Sequence, residues 1–96
     1  MYILIPNKIN PTRYKKVKKQ MITLGPPIIE CIQVSDITFY ALEGSHRITC
    51  AKELNLIPIL NIITNLEDAD NDDTLYIIKQ NINVRINKGL VIEFKG

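Results

Sequence analysis

The chain is predicted to fold as a small α/β (α+β) domain, a mixed β-sheet carrying two to three helices. Three observations lead there. Short apolar, β-branched runs recur at residues 2–6, 28–34, 37–42, 57–63 and 90–94. The stretches between several of them repeat their apolar residues at helical rather than strand spacing. Glycine, proline, asparagine and aspartate stand at the junctions, where a chain turns or a helix starts and stops. A chain of 96 residues with 46% hydrophobic content suits one compact domain, residues 1–96, burying roughly two thirds of its unfolded surface.

Residues 2–6 read as an opening strand that ends in the turn Pro6-Asn7. From Pro11 the period changes: Tyr14, Val17, Met21 and Leu24 follow helical spacing and should face the core. Gly25-Pro26-Pro27 should stop that helix. Residues 28–34 and 37–42 flank Ser35-Asp36, a spacing that suits a tight hairpin, and neither run alternates strictly, so both sheet faces should be covered. A helix is expected over residues 45–54, with Ser45 as N-cap, Ile48, Ala51 and Leu54 facing inward, and Asn55 as C-cap. Residues 57–63 read as a buried strand with Pro58 near its beginning, where the missing N–H does least harm.

An acidic stretch then carries Glu67, Asp68, Asp70, Asp72 and Asp73, and Asp72 or Asp73 should cap a third helix. Its apolar positions are Leu75, Ile78, Ile82 and Ile86, and Gly89 is its stop before a final strand. The end of this helix is ambiguous in sequence, because Ile82, Val84 and Ile86 also alternate as a strand does. Asp68, Asp70 and Asp72 fit the first, third and fifth positions of a calcium-binding EF-hand loop. Asp73 stands where that loop needs glycine and Lys79 where it needs a bidentate glutamate, so the calcium reading fails.

The net charge is only +2, yet the charges are segregated. Lys8, Arg13, Lys15, Lys16, Lys18 and Lys19 occupy an early stretch without an acid, which makes the first helix basic and amphipathic. No apolar run reaches the roughly 18 residues of a spanning helix, and the first residues lack the pattern of a signal peptide. No membrane partner is expected, and the expected location is cytoplasmic. Cys31 and Cys50 show no metal-type spacing and read as buried, reduced thiols.

The segment Glu43-Gly44-Ser45-His46-Arg47 carries the clearest chemistry. A strand that ends at an acid and a glycine and passes directly into a helix makes an anion site. The first N–H groups of the helix lack partners, the helix N-terminus is partially positive, and glycine admits a ligand close to the backbone. Arg47 adds a fork of donors suited to phosphate oxygens, and His46 is a second donor or a switch. Glu43 is the candidate catalytic residue, able to polarise a hydroxyl or contact a metal. From these residues alone, a capped helix behind a surface turn is the favoured reading.

The stretch Tyr40-Ala41-Leu42-Glu43-Gly44-Ser45-His46-Arg47-Ile48-Thr49-Cys50-Ala51, followed by Leu54-Asn55-Leu56 and Ile57-Pro58-Ile59, resembles the ParB/sulfiredoxin superfamily. Ile9-Asn10-Pro11-Thr12-Arg13 is similar to that family's turn into its first helix, and the resemblance spans about residues 2–63. It implies a ParB-like domain that binds a nucleoside di- or triphosphate, whether CTP, ATP or ADP, at Gly44, Ser45, His46 and Arg47. It also implies auxiliary contacts from the first helix, for which Lys16 and Lys19 are candidates, and magnesium carried in with the nucleotide. No separate metal site is expected.

Two departures narrow the function. Sulfiredoxin chemistry needs a thiol between the glycine and the histidine, where this chain has Ser45, so that activity is not expected. About thirty residues follow Ile63, so a complete partition clamp with a DNA-reading helix-turn-helix is not expected either. What remains is nucleotide binding, with phosphoryl transfer or hydrolysis as the accompanying chemistry. The alternative is a small DNA-associated or protein-interaction domain that kept the fold without catalysis, using the basic first helix on phosphates. A homodimer is a further arrangement that the sequence leaves open.

Overall fold

A computed structural model describes residues 1–65 and 73–95, with side chains undescribed for 73–79. Its elements run β1 (Tyr2–Leu4), α1 (Pro11–Leu24), β2 (Ile28–Gln33), β3 (Thr38–Ala41), α2 (Ser45–Glu53), β4 (Ile59–Asn65), α3 (Asp73–Asn87) and β5 (Val91–Glu93). The five strands form one mixed sheet in the order β4-β2-β3-β1-β5, so the expected class, a mixed sheet with helices, is the one observed. β1 runs parallel to β3 and β2 parallel to β4, while β2 with β3 and β1 with β5 are antiparallel. Among the described residues no helix is long and apolar enough to cross a membrane.

Both faces of the central strands β1 and β3 are covered, which explains why their sequences do not alternate cleanly between apolar and polar. Ile3, Ile5, Ile29 and Ala41 join Met21 of α1 and Ile48, Cys50 and Ala51 of α2 in the larger buried cluster. Leu4, Ile32 and Tyr40 form a smaller cluster against Ile82 of α3 and Val91. Strand residues three to five thus divide between the two clusters as the pleat demands. Arg85 of α3 lies over the Tyr40 ring, 4.8 Å from its centroid, and donates to the Tyr40 hydroxyl.

The ends of the elements follow local chemistry. Asn10 caps α1, its side chain accepting from the Thr12 and Arg13 N–H groups, and Pro11 opens the helix where its missing N–H costs nothing. Gly25, at φ 77°, ends it. Tyr14, Val17 and Met21 face the core as their spacing predicts, but Leu24, the last residue of the helix, is 78% exposed. α2 closes with a Schellman pair, Asn55 N–H to Lys52 O and Leu56 N–H to Ala51 O, which puts Asn55 at φ 57° one position beyond the cap. Gly89 ends α3 in the same way, with Leu90 N–H bonded to Arg85 O, so Ile82, Val84 and Ile86 are helical. Ile86 is half exposed rather than part of the core.

The β2–β3 connection is wider than a two-residue turn. Val34 and Ser35 N–H groups both bond to Thr38 O, and Ile37 is exposed outside the strand. β4 begins at Ile59, two residues later than expected, with Pro58 buried just before it, and it is largely exposed rather than the buried strand expected, because it lies at the edge of the sheet. The acids Glu67, Asp68, Asp70 and Asp72, and with them the loop and capping roles expected there, lie outside the described residues.

Candidate functional site

Parallel pairing of β1 with β3, Tyr2 opposite Thr38 and Leu4 opposite Tyr40, brings the carboxyl ends of two neighbouring strands to one edge of the sheet. Each leads through a short loop into a helix. In sheets of this kind the crevice beyond parallel strand ends is where ligands gather. Here the loop before α1 and the turn before α2 face each other across that crevice.

Gly44, not Ser45, is the N-cap of α2, and it holds the left-handed conformation at φ 85°, ψ 29°. A Cβ at this position would stand 2.8 Å from Ile29 Cδ1 and 3.4 Å from an Arg47 guanidinium nitrogen. Backbone conformation and crowding therefore both demand glycine. Ser45 becomes the first residue of the helix and turns inward. It is buried, and its Oγ accepts the Asn7 N–H at 3.0 Å. Because the cap is glycine, no side chain bonds to the first N–H groups of α2, and its first helical bond is Ile48 N–H to Gly44 O. The N-terminus of α1 is satisfied by Asn10, whereas that of α2 is left open.

His46 joins the two loops. Its Nε2 accepts the Asn10 N–H at 2.9 Å, so that nitrogen carries no proton and only Nδ1 is left as a donor. The side chains of Ser45 and His46 thus hold the 7–10 loop against α2 instead of reaching into open solvent.

A cavity of about 650 Å³ opens between these parts. Asn7, Lys8 and Asn10 line it from the loop, Arg13, Val17 and Gln20 from α1, and Leu42 through to Arg47 from the β3–α2 turn. Lys8, Arg13 and Arg47 face a single acid, Glu43, so the rim is cationic. The Arg47 guanidinium contacts the Glu43 carboxylate at 3.5 Å, a long and solvent-exposed pair that an incoming anion could displace.

Of the expected site residues, Glu43, Gly44, Ser45, His46 and Arg47 come together on this cavity. Lys16 and Lys19 do not line it; both are exposed on α1. Their place is taken by Lys8 and Arg13, which sequence reading counted in the basic stretch without assigning them to the site. The signal was present: both lie within three residues of Asn10, the cap that fixes where α1 begins.

A neighbouring face of α1 is tied to α2. The Tyr14 hydroxyl donates to one Glu53 oxygen, and Lys18 Nζ lies 2.7 Å from the other. Lys18, then Tyr14, hold the Glu53 carboxyl below its ordinary range. Burial, then the Glu53 hydrogen bond, push the Tyr14 hydroxyl above its own. Cys31 and Cys50 are free and buried, and burial raises both thiols. Among the described residues no group of three or more His, Cys, Asp or Glu side chains could hold a metal ion.

Comparisons with protein-family models, with curated proteins and with solved structures found no match. The chemistry of the site therefore rests on its own residues.

Proposed function

We propose that this domain binds a nucleoside di- or triphosphate, with the phosphates at the start of α2. The observation that carries this reading is the uncapped helix N-terminus opening into a cationic cavity of about 650 Å³. That volume falls within the usual range of small-molecule sites, roughly 300–1,000 Å³. Phosphate supplies the charge and acceptors that N–H groups of Ser45, His46 and Arg47 lack within the protein. Gly44 lets it approach the backbone, Arg47 turns from Glu43 to fork onto its oxygens, and Lys8 and Arg13 close the far rim. The Ser45 hydroxyl and the His46 Nε2 are already bonded, so these residues contribute backbone N–H groups and loop position rather than those atoms. Lys16 and Lys19 act only at longer range.

CTP, ATP and ADP are the candidate ligands on the ParB/sulfiredoxin-like reading. Glu43 is the carboxylate lining the cavity among the described residues, and it fits the role of contacting nucleotide-borne magnesium or polarising a hydroxyl in phosphoryl transfer or hydrolysis. Its contact with Arg47 places the carboxylate beside the proposed phosphate position.

Thermal-shift screening of the four nucleoside triphosphates and ADP, with and without magnesium, tests the reading, because a ligand that binds only the native state raises its melting temperature. One nucleotide should shift the wild type and leave Arg47→Ala unmoved. The exposed lysines Lys15, Lys16 and Lys19 on α1 favour the second reading, a DNA contact. A shift with duplex DNA that collapses steeply with salt, and none with any nucleotide, would select it.

A further inference from the structure

β4 ends the sheet, and among the described residues no strand pairs with its outer edge from Ile59 to Thr64. Proteins usually blunt such edges with charge, proline, shortness or a bulge, since open N–H and C=O groups invite another strand. Ile59–Asn65 contains no charged residue and no proline, and at 7 residues it is the longest strand of the sheet. Its one protective device is a bulge, at Ile63, where Cys31 pairs with Ile62 and Ile32 with Thr64. Large apolar side chains stand exposed along it: Ile59 at 56%, Ile62 at 45% and Ile63 at 54%, with Ile28 of β2 beside Ile59 at 62%.

The order of those residues indicates what covers them. Ile59-Leu60-Asn61-Ile62-Ile63 has the same pattern read in either direction: two apolar residues, asparagine, two apolar residues. An antiparallel copy turned about Asn61 sets Leu60 against Ile62 and Asn61 against its own counterpart, with Ile59 beside the bulged Ile63 at each end. Every apolar residue then meets an apolar one, and the central amides can bond to each other. A peptide of unrelated sequence has no reason to match this pattern, whereas a second copy matches it automatically. With no charge on the strand, self-pairing meets no like-charge repulsion.

We propose that this chain forms a two-fold homodimer by antiparallel pairing of β4 with β4 about Asn61, joining two five-stranded sheets into one. The contact is isologous and closed: it consumes the edge that creates it, so assembly stops at two. It lies on a different element from the Gly44–Arg47 turn and stands or falls independently of nucleotide binding.

The mass of the intact chain in solution, measured by light scattering at about 100 µM, should be twice the 11.0 kDa of the monomer, since a complex of micromolar Kd is nearly all associated there. Asn61→Lys puts two like charges face to face and should weaken dimerisation at least tenfold; Asn61 is exposed, so the fold should survive. Asn61→Cys should cross-link under oxidised glutathione, because directly opposed residues lie within disulfide reach. Thr64→Cys should not, because its counterpart sits about 20 Å away along the partner strand. Both native cysteines are buried and leave the readout clean. A monomer at this concentration, a series of larger species, an undisturbed dimer in Asn61→Lys, or equal cross-linking of the two cysteine variants would each overturn the proposal.

Discussion

The Asn10 N–H donates to His46 Nε2 at 2.9 Å across a separation of 36 residues, linking the start of one helix to the start of another. Asn10 simultaneously caps α1 through its side chain. One histidine thereby sets where Arg13 stands relative to Arg47.

His46→Ala should therefore act on binding as well as stability. Loss of a partly exposed hydrogen bond costs about 0.5–1.5 kcal/mol, a drop of several degrees in melting temperature for a domain of this size. Nucleotide affinity should fall by about tenfold, because the two arginines are no longer held on one cavity. Calorimetry on the variant checks this, and unchanged affinity would assign the histidine to stability alone.

Arg47→Ala should separate function from fold. Its guanidinium is half exposed and its bond to Glu43 is long, so the melting temperature should move little. A charge-assisted phosphate contact is worth about 1.5–3 kcal/mol, so affinity should fall by at least tenfold. Lys8→Ala and Arg13→Ala should each weaken binding more than Lys16→Ala or Lys19→Ala, an order that titration calorimetry reads directly.

Gly44→Ala should be among the more damaging substitutions. A left-handed conformation costs an L-residue roughly 1–2 kcal/mol, and the new methyl meets Ile29 Cδ1 at 2.8 Å, adding about 1–3 kcal/mol of overpacking. Ile29→Val in the same background should recover part of the second cost and none of the first. A denaturation cycle over the four proteins measures that coupling.

The Tyr14–Glu53–Lys18 cluster should shape the pH dependence of stability. Glu53 has a lowered pKa in the fold, so its contribution is present above about pH 4.5 and disappears as pH falls through the folded value. Tyr14 has a raised one, so its contribution is complete below pH 10.0 and is lost as pH rises beyond it. Urea denaturation from pH 3 to 11, in steps of about one unit, should show both limbs in the wild type. Glu53→Gln should flatten the acid limb, and Tyr14→Phe should reduce the alkaline one, to which Lys18 and the raised thiols of Cys31 and Cys50 also contribute.

Much of this molecule was legible residue by residue. Pro11, Gly25, Asn55 and Gly89 mark helix ends because capping is local chemistry, complete within about five residues. The inward faces of α1 and α2 follow from their spacing, apart from Leu24, which is exposed at the end of α1. The turn at Gly44 into the second helix was legible for the same reason. The cap itself was misassigned. Serine is the better cap in isolation, but here its hydroxyl is claimed by Asn7, 38 residues away.

The sequence by itself determined the order and kind of the elements, the glycine before α2 and the separation of charge along the chain. Only the tertiary structure decided that Lys8 and Arg13, rather than Lys16 and Lys19, share a cavity with Arg47. It also decided which strand was left at the edge with its isoleucines exposed. Both outcomes come from strand order. Pairing β1 with β3 joins residues 36 positions apart, and no periodicity records such a choice, because its free energy comes from burying both sheet faces at once.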